Sequence, residues 1–406
     1  MDYDILKVED NSITIKAEAN AIVSHKKSTI QKNGFRRFEN NLVIQTSSLG
    51  EVSLDQLIHQ SREYDGMGTK HDFGFAEGKK DHKYGKQIDD KCLSSFTEGL
   101  NYLSKKYSDF IFSGECVVSN KYASLKSSYG LDLSTSGGLI DWYFLYQRKG
   151  SGNMLDGYFF GLNDSDNIMA SIKNQEKFIN ASFKTSKIDS GKYPVLFIDE
   201  KPTIKKLLES FQVNKYKENA SLYNGQLDQK LFDTKVNIFD SGYDPSSGNY
   251  MFFDGEGTIR EEDLYLIKNG KFNSLISDLR NQAKFNVSST GNGSRIYNRG
   301  VSLDFKGVRI KKGNSTWNNI IKNIPICIIA FVAAGGDSND FGEYSTPVQV
   351  GYIFKYGELD GLAPQITVKT SIDNYLGKNL IDISSDGFVE DMPSGCIISE
   401  MEVLVN

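Results

Sequence analysis

Apolar residues recur at every second position over most of this chain and at helical spacing in only a few windows, and this balance of periods restricts the fold more than any other feature. A strand turns successive side chains to opposite faces, so strict alternation marks a half-buried strand, whereas an amphipathic helix repeats every three or four residues. Ile13-Thr14-Ile15-Lys16 and Leu42-Val43-Ile44-Gln45 alternate in this way, with Gly34 and Gly50 as turn signals. They predict short strands through the first fifty residues.

Helical spacing enters at Ser53, where Ser53 and Gln56 have the spacing of a capping box and Leu54, Leu57 and Ile58 follow; this helix is predicted to end near Gly66. A second helix is predicted from about Asp89 to Tyr107, because Leu93, Phe96, Leu100 and Leu103 form one apolar face. Between Phe110 and Phe183 the pattern returns to strands, as in Phe110-Ile111-Phe112, Trp142 to Tyr146 and Tyr158-Phe159-Phe160. These segments predict an antiparallel sheet with a helix layer. The pattern breaks at Asp189-Ser190-Gly191-Lys192. A strand over Pro194 to Ile198 then leads into a helix from Pro202 that carries Leu207, Leu208 and Phe211. Another helix is expected around Asn273 to Phe285, with strands otherwise to the end. A chain of 406 residues exceeds what one core accommodates. The reading is therefore α+β, with an N-terminal antiparallel sheet and helices over residues 1–190 and a mostly-β domain over residues 191–406. No repeat of solenoid or propeller length is evident.

The 47 Lys and Arg are outnumbered by 52 Asp and Glu, so no global field favours nucleic acid. The basic runs Lys79, Lys80, His82, Lys83, Lys86 and Arg309, Lys311, Lys312 are interrupted by acids or by a strand pattern and read as solvated surface. Cys92, Cys116, Cys327 and Cys396 lie far apart with no CxxC pair, which fits a reducing compartment. Met1-Asp2-Tyr3-Asp4 has no basic segment followed by an apolar one, so no secretory signal is expected. The apolar run from Ile324 to Ala334 falls short of the about 20 residues that span a bilayer and reads as a buried strand. The expectation is a cytoplasmic protein without nucleic-acid or membrane partners.

The only histidines are His25, His59, His71 and His82, so everything after residue 82 lacks imidazole. His71-Asp72 and His82 with Asp81 and Glu77 form the one cluster of histidine and carboxylate; its Gly- and Lys-rich setting reads as a surface loop, with a metal site as the alternative. No GxSxG elbow is present, and the larger domain has no histidine to serve a Ser or Cys nucleophile. The segment from Ser288 to Arg295 is rich in glycine but lacks a GK[ST] ending and follows a predicted helix, which argues against a phosphate cradle. It leaves two readings, a loop at a working edge or a plain helix exit. Asp254 and Glu256 straddle Gly255, and acids in such a turn satisfy backbone amides.

Several segments, taken in order, resemble the TldD/PmbA (modulator of DNA gyrase) family on its TldE/PmbA side. They are Ser127 to Leu133, Met154-Leu155-Asp156-Gly157-Tyr158, Phe253-Asp254-Gly255-Glu256-Gly257-Thr258, Leu266-Ile267-Lys268-Asn269-Gly270-Lys271, and the C-terminal set Gly342 to Ser345, Gly351 to Phe354 and Gly357-Glu358. The resemblance covers roughly residues 100 to 406; the part before it matches less well. It implies a two-domain α+β subunit that pairs around an enclosed cleft, and TldD/TldE pairs cleave unstructured or modified peptides. In the TldD subunit a helix carries HExxxH, with a later cysteine also used, because imidazole and thiolate suit zinc.

Placing Glu209 at the family's glutamate puts Leu208 and Val213 at its two histidine positions, and neither side chain can donate an electron pair to a metal. Cys396 lies near the family's late cysteine but reads as a packed residue. The resemblance thus implies no catalytic residue, metal ligand or cofactor in this chain, with zinc in a TldD-like catalytic partner. Glu209, Asp254, Glu256, Gly291 and Asn292 are the family-motif positions expected to line the cleft. Two main readings follow: a TldE-like subunit of a heterodimeric metalloprotease that helps hold an extended peptide, or a homodimer that binds a peptide or other ligand without proteolysis. An independent hydrolase using the His71, His82 and Glu77 cluster is a third.

Overall fold

The computed structural model describes residues 1–83, 91–153, 155–162, 168–245, 248–389 and 392–406. The chain begins with two long strands, β1 (Asp2–Glu18) and β2 (Ala21–Glu39), followed by β3 (Leu42–Leu49). The turns between them are Ala19-Asn20, with φ of 47° and 69°, and Asn40-Asn41, with φ of 53° and 59°. Such two-residue left-handed turns match the twist of a hairpin. The short strands expected here are therefore two long ones. Gly34 is no turn but lies inside β2, where a Cβ would come 2.5 Å from the Tyr297 carbonyl oxygen. Glycine in a strand marks close approach of another backbone as readily as a turn, and alternation carries no signal for where a strand stops.

Helix α1 (Leu54–Arg62) starts in the predicted capping box, with Ser53 Oγ accepting from Gln56 N and Gln56 Oε1 accepting from Ser53 N. Then come β4 (Thr69–Lys70), β5 (Gly78–Lys83), α2 (Lys91–Lys106), β6 (Phe110–Ser127), β7 (Leu131–Arg148), β8 (Gly157–Leu162) and α3 (Ile168–Ala181). The sheet order is β4-β3-β2-β1-β6-β7-β5, with β8 also on β7; only β5 runs parallel to its neighbour. The predicted apolar stripe of α2, from Leu93 to Leu103, packs with Ile172 of α3 against Phe112, Trp142 and Phe144 of the sheet. The expected helix start at Asp89, Lys86 of the basic run and Met154 of the motif series lie outside the described residues. The stretch read as a Gly- and Lys-rich surface loop contains a strand, β5, because residues 78–83 find a ready edge on β7.

The second half opens with β9 (Gly191–Phe197), α4 (Lys205–Ser210) and α5 (Val213–Lys217). A four-stranded sheet follows, built from β10 (Ile238–Asp240), β11 (Leu264–Lys268), β12 (Lys271–Phe272) and, later, β15 (Val308–Ile310). Between β12 and β15 lie α6 (Leu279–Phe285) and the pair β13 (Gly293–Ser294) and β14 (Ser302–Leu303). Helix α7 (Trp317–Ile321) leads into β16 (Cys327–Ala333), β17 (Asp337–Ser338), β18 (Glu343–Lys355), β19 (Glu358–Leu362), β20 (Ile366–Ser371), β21 (Leu380–Ile383) and β22 (Ile397–Val405). Their order is β16-β9-β22-β20-β18, and β16 pairs again with β18, so these five strands close on themselves.

Alternation within this ring sends Val195, Phe197, Ile328 and Ala330 into one core together with Leu207 and Phe211. Leu196, Ile329, Phe331 and Ile398 enter a second core with Phe178 of α3 and Trp317 of α7. The run Ile324 to Ala334 is continuous because β16 is buried on both faces. A division of the chain at residues 190 and 191, which we propose as the domain boundary, falls between α3 and β9. Among the contacts that cross it are the packing of Phe178 into this second core and the buried hydrogen bond between the Tyr146 and Tyr352 hydroxyls at 2.9 Å. Among the described residues no helix is long and apolar enough to cross a membrane.

Gly34→Ala is expected to lower stability by about 1–3 kcal/mol, since the Tyr297 backbone must shift to admit a methyl. Urea unfolding with a midpoint equal to that of the parent chain would show that the contact at Gly34 yields without cost.

Candidate functional site

Asp4 and Arg36 face each other across the β1–β2 ladder. Arg36 donates Nε to Asp4 Oδ1 at 3.1 Å and Nη2 to Oδ2 at 2.5 Å, while the Tyr129 hydroxyl donates to Oδ2 at 2.8 Å. Arg295, from beyond β13, donates Nη1 to Asp4 Oδ1 at 2.7 Å and Nη2 to the Gly34 carbonyl at 2.7 Å. Asp4 is fully buried. Burial alone would raise its pKa, but the two guanidiniums and the Tyr129 hydroxyl outweigh it and bring the carboxyl to about 2. Burial lowers Arg295 to about 10, against the attraction of Asp4. Sequence reading missed this cluster. Its one local signal was an acid in register with Leu6 on a buried strand face.

Beside it, Asp254 Oδ1 accepts from Glu256 N and Thr258 N, both at 2.9 Å, and Oδ2 accepts from Gly293 N at 2.8 Å. Glu256 Oε2 accepts from Leu279 N at 2.8 Å. The two acids thus serve backbone amides, as their turn suggested. A Cβ on Gly293 would stand 2.7 Å from Glu256 Oε2, so the close approach needs glycine. Asn292 donates to Asp240 Oδ2 at 2.7 Å and to the Asp304 carbonyl at 2.8 Å. The glycine-rich segment read as an edge loop or helix exit is therefore buried at Gly291, Asn292 and Gly293, and through Arg295 at its end it reaches Asp4 and Gly34 of the first half. Burial, then the Asp254 charge, pushes Glu256 up to about 8 in spite of the Leu279 amide.

A cleft of about 840 Å³ opens between the first sheet and the second half. Arg36, Thr69, His71 and Phe73 line one wall; Gln212, Glu256, Asp278 and Arg280 line the other. Of the five positions expected at a cleft, Glu256 borders this one. Asp254, Gly291 and Asn292 border a separate cavity of about 270 Å³ together with Tyr250 and Lys306. Glu209 borders neither of these; it is a half-buried carboxylate of α4 held by Lys215 at 3.1 Å and Lys206 at 3.6 Å.

The two positions aligned with metal-binding histidines are packing positions. Val213 is buried, Leu208 packs on the same core, and the helix is broken between α4 and α5. Cys396 is buried in the second core, with Phe178 and Trp317, where burial raises its thiol pKa. His71 and His82 are not brought together. His82 sits on β5, 2.6 Å from Glu261 Oε1 and stacked on Tyr243, whereas the His71 ring lies among Phe38, Phe73 and Phe75. Among the described residues no group of three or more His, Cys, Asp or Glu is placed to hold a metal ion. The donors present at these positions do not fit a zinc site.

Asp4→Asn leaves two buried guanidiniums without their counter-charge and is expected to cost about 3–5 kcal/mol. The Asp4 pKa is depressed on folding, so its contribution is complete above the unfolded value near 4 and disappears as pH falls toward about 2. The gap between parent and variant in chemical denaturation should close across that window. Glu256 has the opposite sign: its folded pKa lies above the unfolded one, so it holds a proton that unfolding releases, and stability falls as pH rises from about 4.5 to about 8. Glu256→Gln is expected to flatten that decline. Identical slopes for variant and parent between pH 5 and 8 would sink the assignment.

Residues 190–403, more than half of the chain, match the family model described as the PmbA/TldA metallopeptidase C-terminal domain. An uncharacterized protein of Methanocaldococcus jannaschii is 23% identical over 158 residues, which are 38% of this chain and 36% of that protein, so the match spans about a third of its length. Among solved structures, TldE from Thermococcus kodakarensis superposes with a TM-score of 0.86 at 17% identity, covering 100% of this chain and 97% of the other. A protein from Thermotoga maritima described as a modulator of DNA gyrase gives 0.80 at 15% identity, covering 99% and 96%. A third, of the same description from Bacteroides thetaiotaomicron, gives 0.79 at 14%, covering 100% and 95%. At these identities the likeness is one of fold, and it includes the residues before 100 that matched less well by motif. With this ordered series of segments, the same fold end to end and the family model over its second half, the chain belongs to the PmbA/TldD metallopeptidase family.

Proposed function

We propose that this chain is a non-catalytic, TldE-like subunit of a two-chain metallopeptidase, pairing with a TldD-like subunit that carries the zinc. The observation that carries the reading is chemical. At the positions aligned with the metal-binding helix the chain presents Leu208 and Val213, packed into a core, and no histidine follows residue 82. A side chain without a lone pair cannot hold zinc, and burial in a core leaves no room for a substituted ligand.

The task left to such a subunit is to shape the cleft and help hold an extended, unstructured or modified peptide for cleavage. The first sheet ends at β4, whose Thr69 borders the cleft. Edge-strand addition recognises an extended peptide through its backbone and asks little of its sequence. Four buried cysteines, none of them in a disulfide, are in keeping with the cytoplasmic setting proposed for this pair.

Mixing the purified chain with the TldD-like protein of the same genome is expected to yield a complex with one zinc per pair that cleaves an unstructured peptide, while this chain alone holds no zinc and cleaves nothing. A stable self-dimer that ignores the added protein would replace this reading with that of a homodimeric peptide- or ligand-binding protein.

A further inference from the structure

The inner wall of the cleft keeps hydrogen-bonding capacity that the protein does not use. Arg36 spends Nε and Nη2 on Asp4, and its Nη1 has no acceptor among the described residues. His71 is 9% exposed and its Nε2 is buried without a partner, although the ring packs on Phe38 and Phe73. Both residues border the same cleft, and Phe38 lies between them, with the Arg36 guanidinium 5.2 Å and the His71 ring 4.6 Å from its centroid. A buried polar atom left without a partner is a standing cost, so the retention of His71 Nε2 in a cleft wall calls for a ligand that completes it.

The charge count points the same way. Asp4 answers two guanidiniums, Arg36 and Arg295, so the buried group keeps one positive charge in excess. Glu256 is the nearby carboxyl that could cancel it, but burial holds it largely protonated near neutrality. What is missing is a single negative charge on a small planar group with acceptors for both a guanidinium and an imidazole. A carboxylate has that shape and charge. Thr69, on the edge strand β4, borders the same cleft, and Arg36 lies two strands inward on β2, so an extended chain that enters the cleft past β4 and crosses the sheet face reaches Arg36 and His71 with its end.

We propose that the cleft ends in a carboxylate-binding site formed by Arg36 and His71, which takes the C-terminal carboxylate of an extended peptide. This rests on the peptide-holding role given above and adds to it a preference for a free chain end.

The test measures fluorescence anisotropy of three labelled, unstructured peptides with the full chain, alone and in complex with its TldD-like partner. One peptide has a free C-terminus and no acidic side chain, one is its C-terminal amide, and one is the amide with a single internal Glu. The free acid is expected to bind about tenfold or more tightly than the plain amide, the range of one charge-assisted hydrogen bond. His71→Phe keeps an aromatic ring among Phe38, Phe73 and Phe75, and is expected to abolish that preference, read as the ratio of free-acid to amide affinity in the variant itself. Arg36→Lys is expected to reduce the preference in part and serves as the second variant, with the thermal midpoint read for both.

Tight binding of the internal-Glu amide, equal to that of the free acid, would overturn the C-terminal assignment and assign the site to side-chain carboxylates. Equal affinity for all three peptides, or a His71→Phe protein with its preference intact, overturns the site itself. An active complex whose affinity ignores every carboxylate defeats this inference and leaves the subunit role standing, whereas a chain that binds no peptide in either form and no partner defeats both.

Discussion

One buried carboxylate, Asp4, organises the junction between the halves of this molecule. It lies in the first strand and is reached by Arg36 from the neighbouring strand and by Arg295 from a segment 291 residues away. Charges are expensive to desolvate, so such a cluster persists only where its hydrogen bonds are nearly all made. That requirement explains the surrounding backbone. Gly34 lets the Tyr297 carbonyl approach, Gly34 in turn offers its own carbonyl to Arg295, and Gly293 lets the acid turn at Asp254 and Glu256 close on its amide. The cleft is what remains between the two halves once this contact is fixed, and Arg36 belongs to both.

The second half supplies rigidity by a different physical route. Five strands close on themselves through the parallel pair β9 and β16, so each strand of the ring finds both its neighbours and β16 has apolar partners on both faces. In the TldD/PmbA family a fold of this kind supports metal-dependent peptide cleavage, yet a fold does not determine a function; the donors do. In the reading proposed above, this scaffold carries leucine and valine where imidazoles would stand, and its polar groups at the cleft are left to hold a ligand. Such a division of labour, with chemistry in one chain and recognition in another, is what the proposed pairing expresses.

Much of the architecture was legible in the sequence because its signals are local. The capping box at Ser53 and Gln56, the stripe from Leu93 to Leu103 and the apolar run of β16 each depend on neighbours within one or two turns or along one strand, and each formed as read. Strand ends were less legible. The Ala19-Asn20 and Asn40-Asn41 turns contain no glycine, while Gly34, which suggested a turn, marks a contact with a distant backbone. Residues 78–83 were read as loop because the edge that recruits them belongs to a strand some fifty residues later.

The candidate site divides in the same way. The sequence by itself determined that no histidine follows residue 82, that Leu208 and Val213 have no lone pairs to offer, and that the acids around Gly255 would serve amides; these are properties of residue type and short spacing. Only the tertiary structure decided that Glu256 borders the large cleft while Glu209 is an ion-paired carboxylate of α4, that His71 and His82 part company, and that Arg36 and Arg295 meet on Asp4 near His71, whose Nε2 lacks a partner. The reason is that side-chain periodicity records which face a residue takes, whereas a charge cluster is assembled by the contact of elements far apart in the chain, and no local pattern encodes that contact.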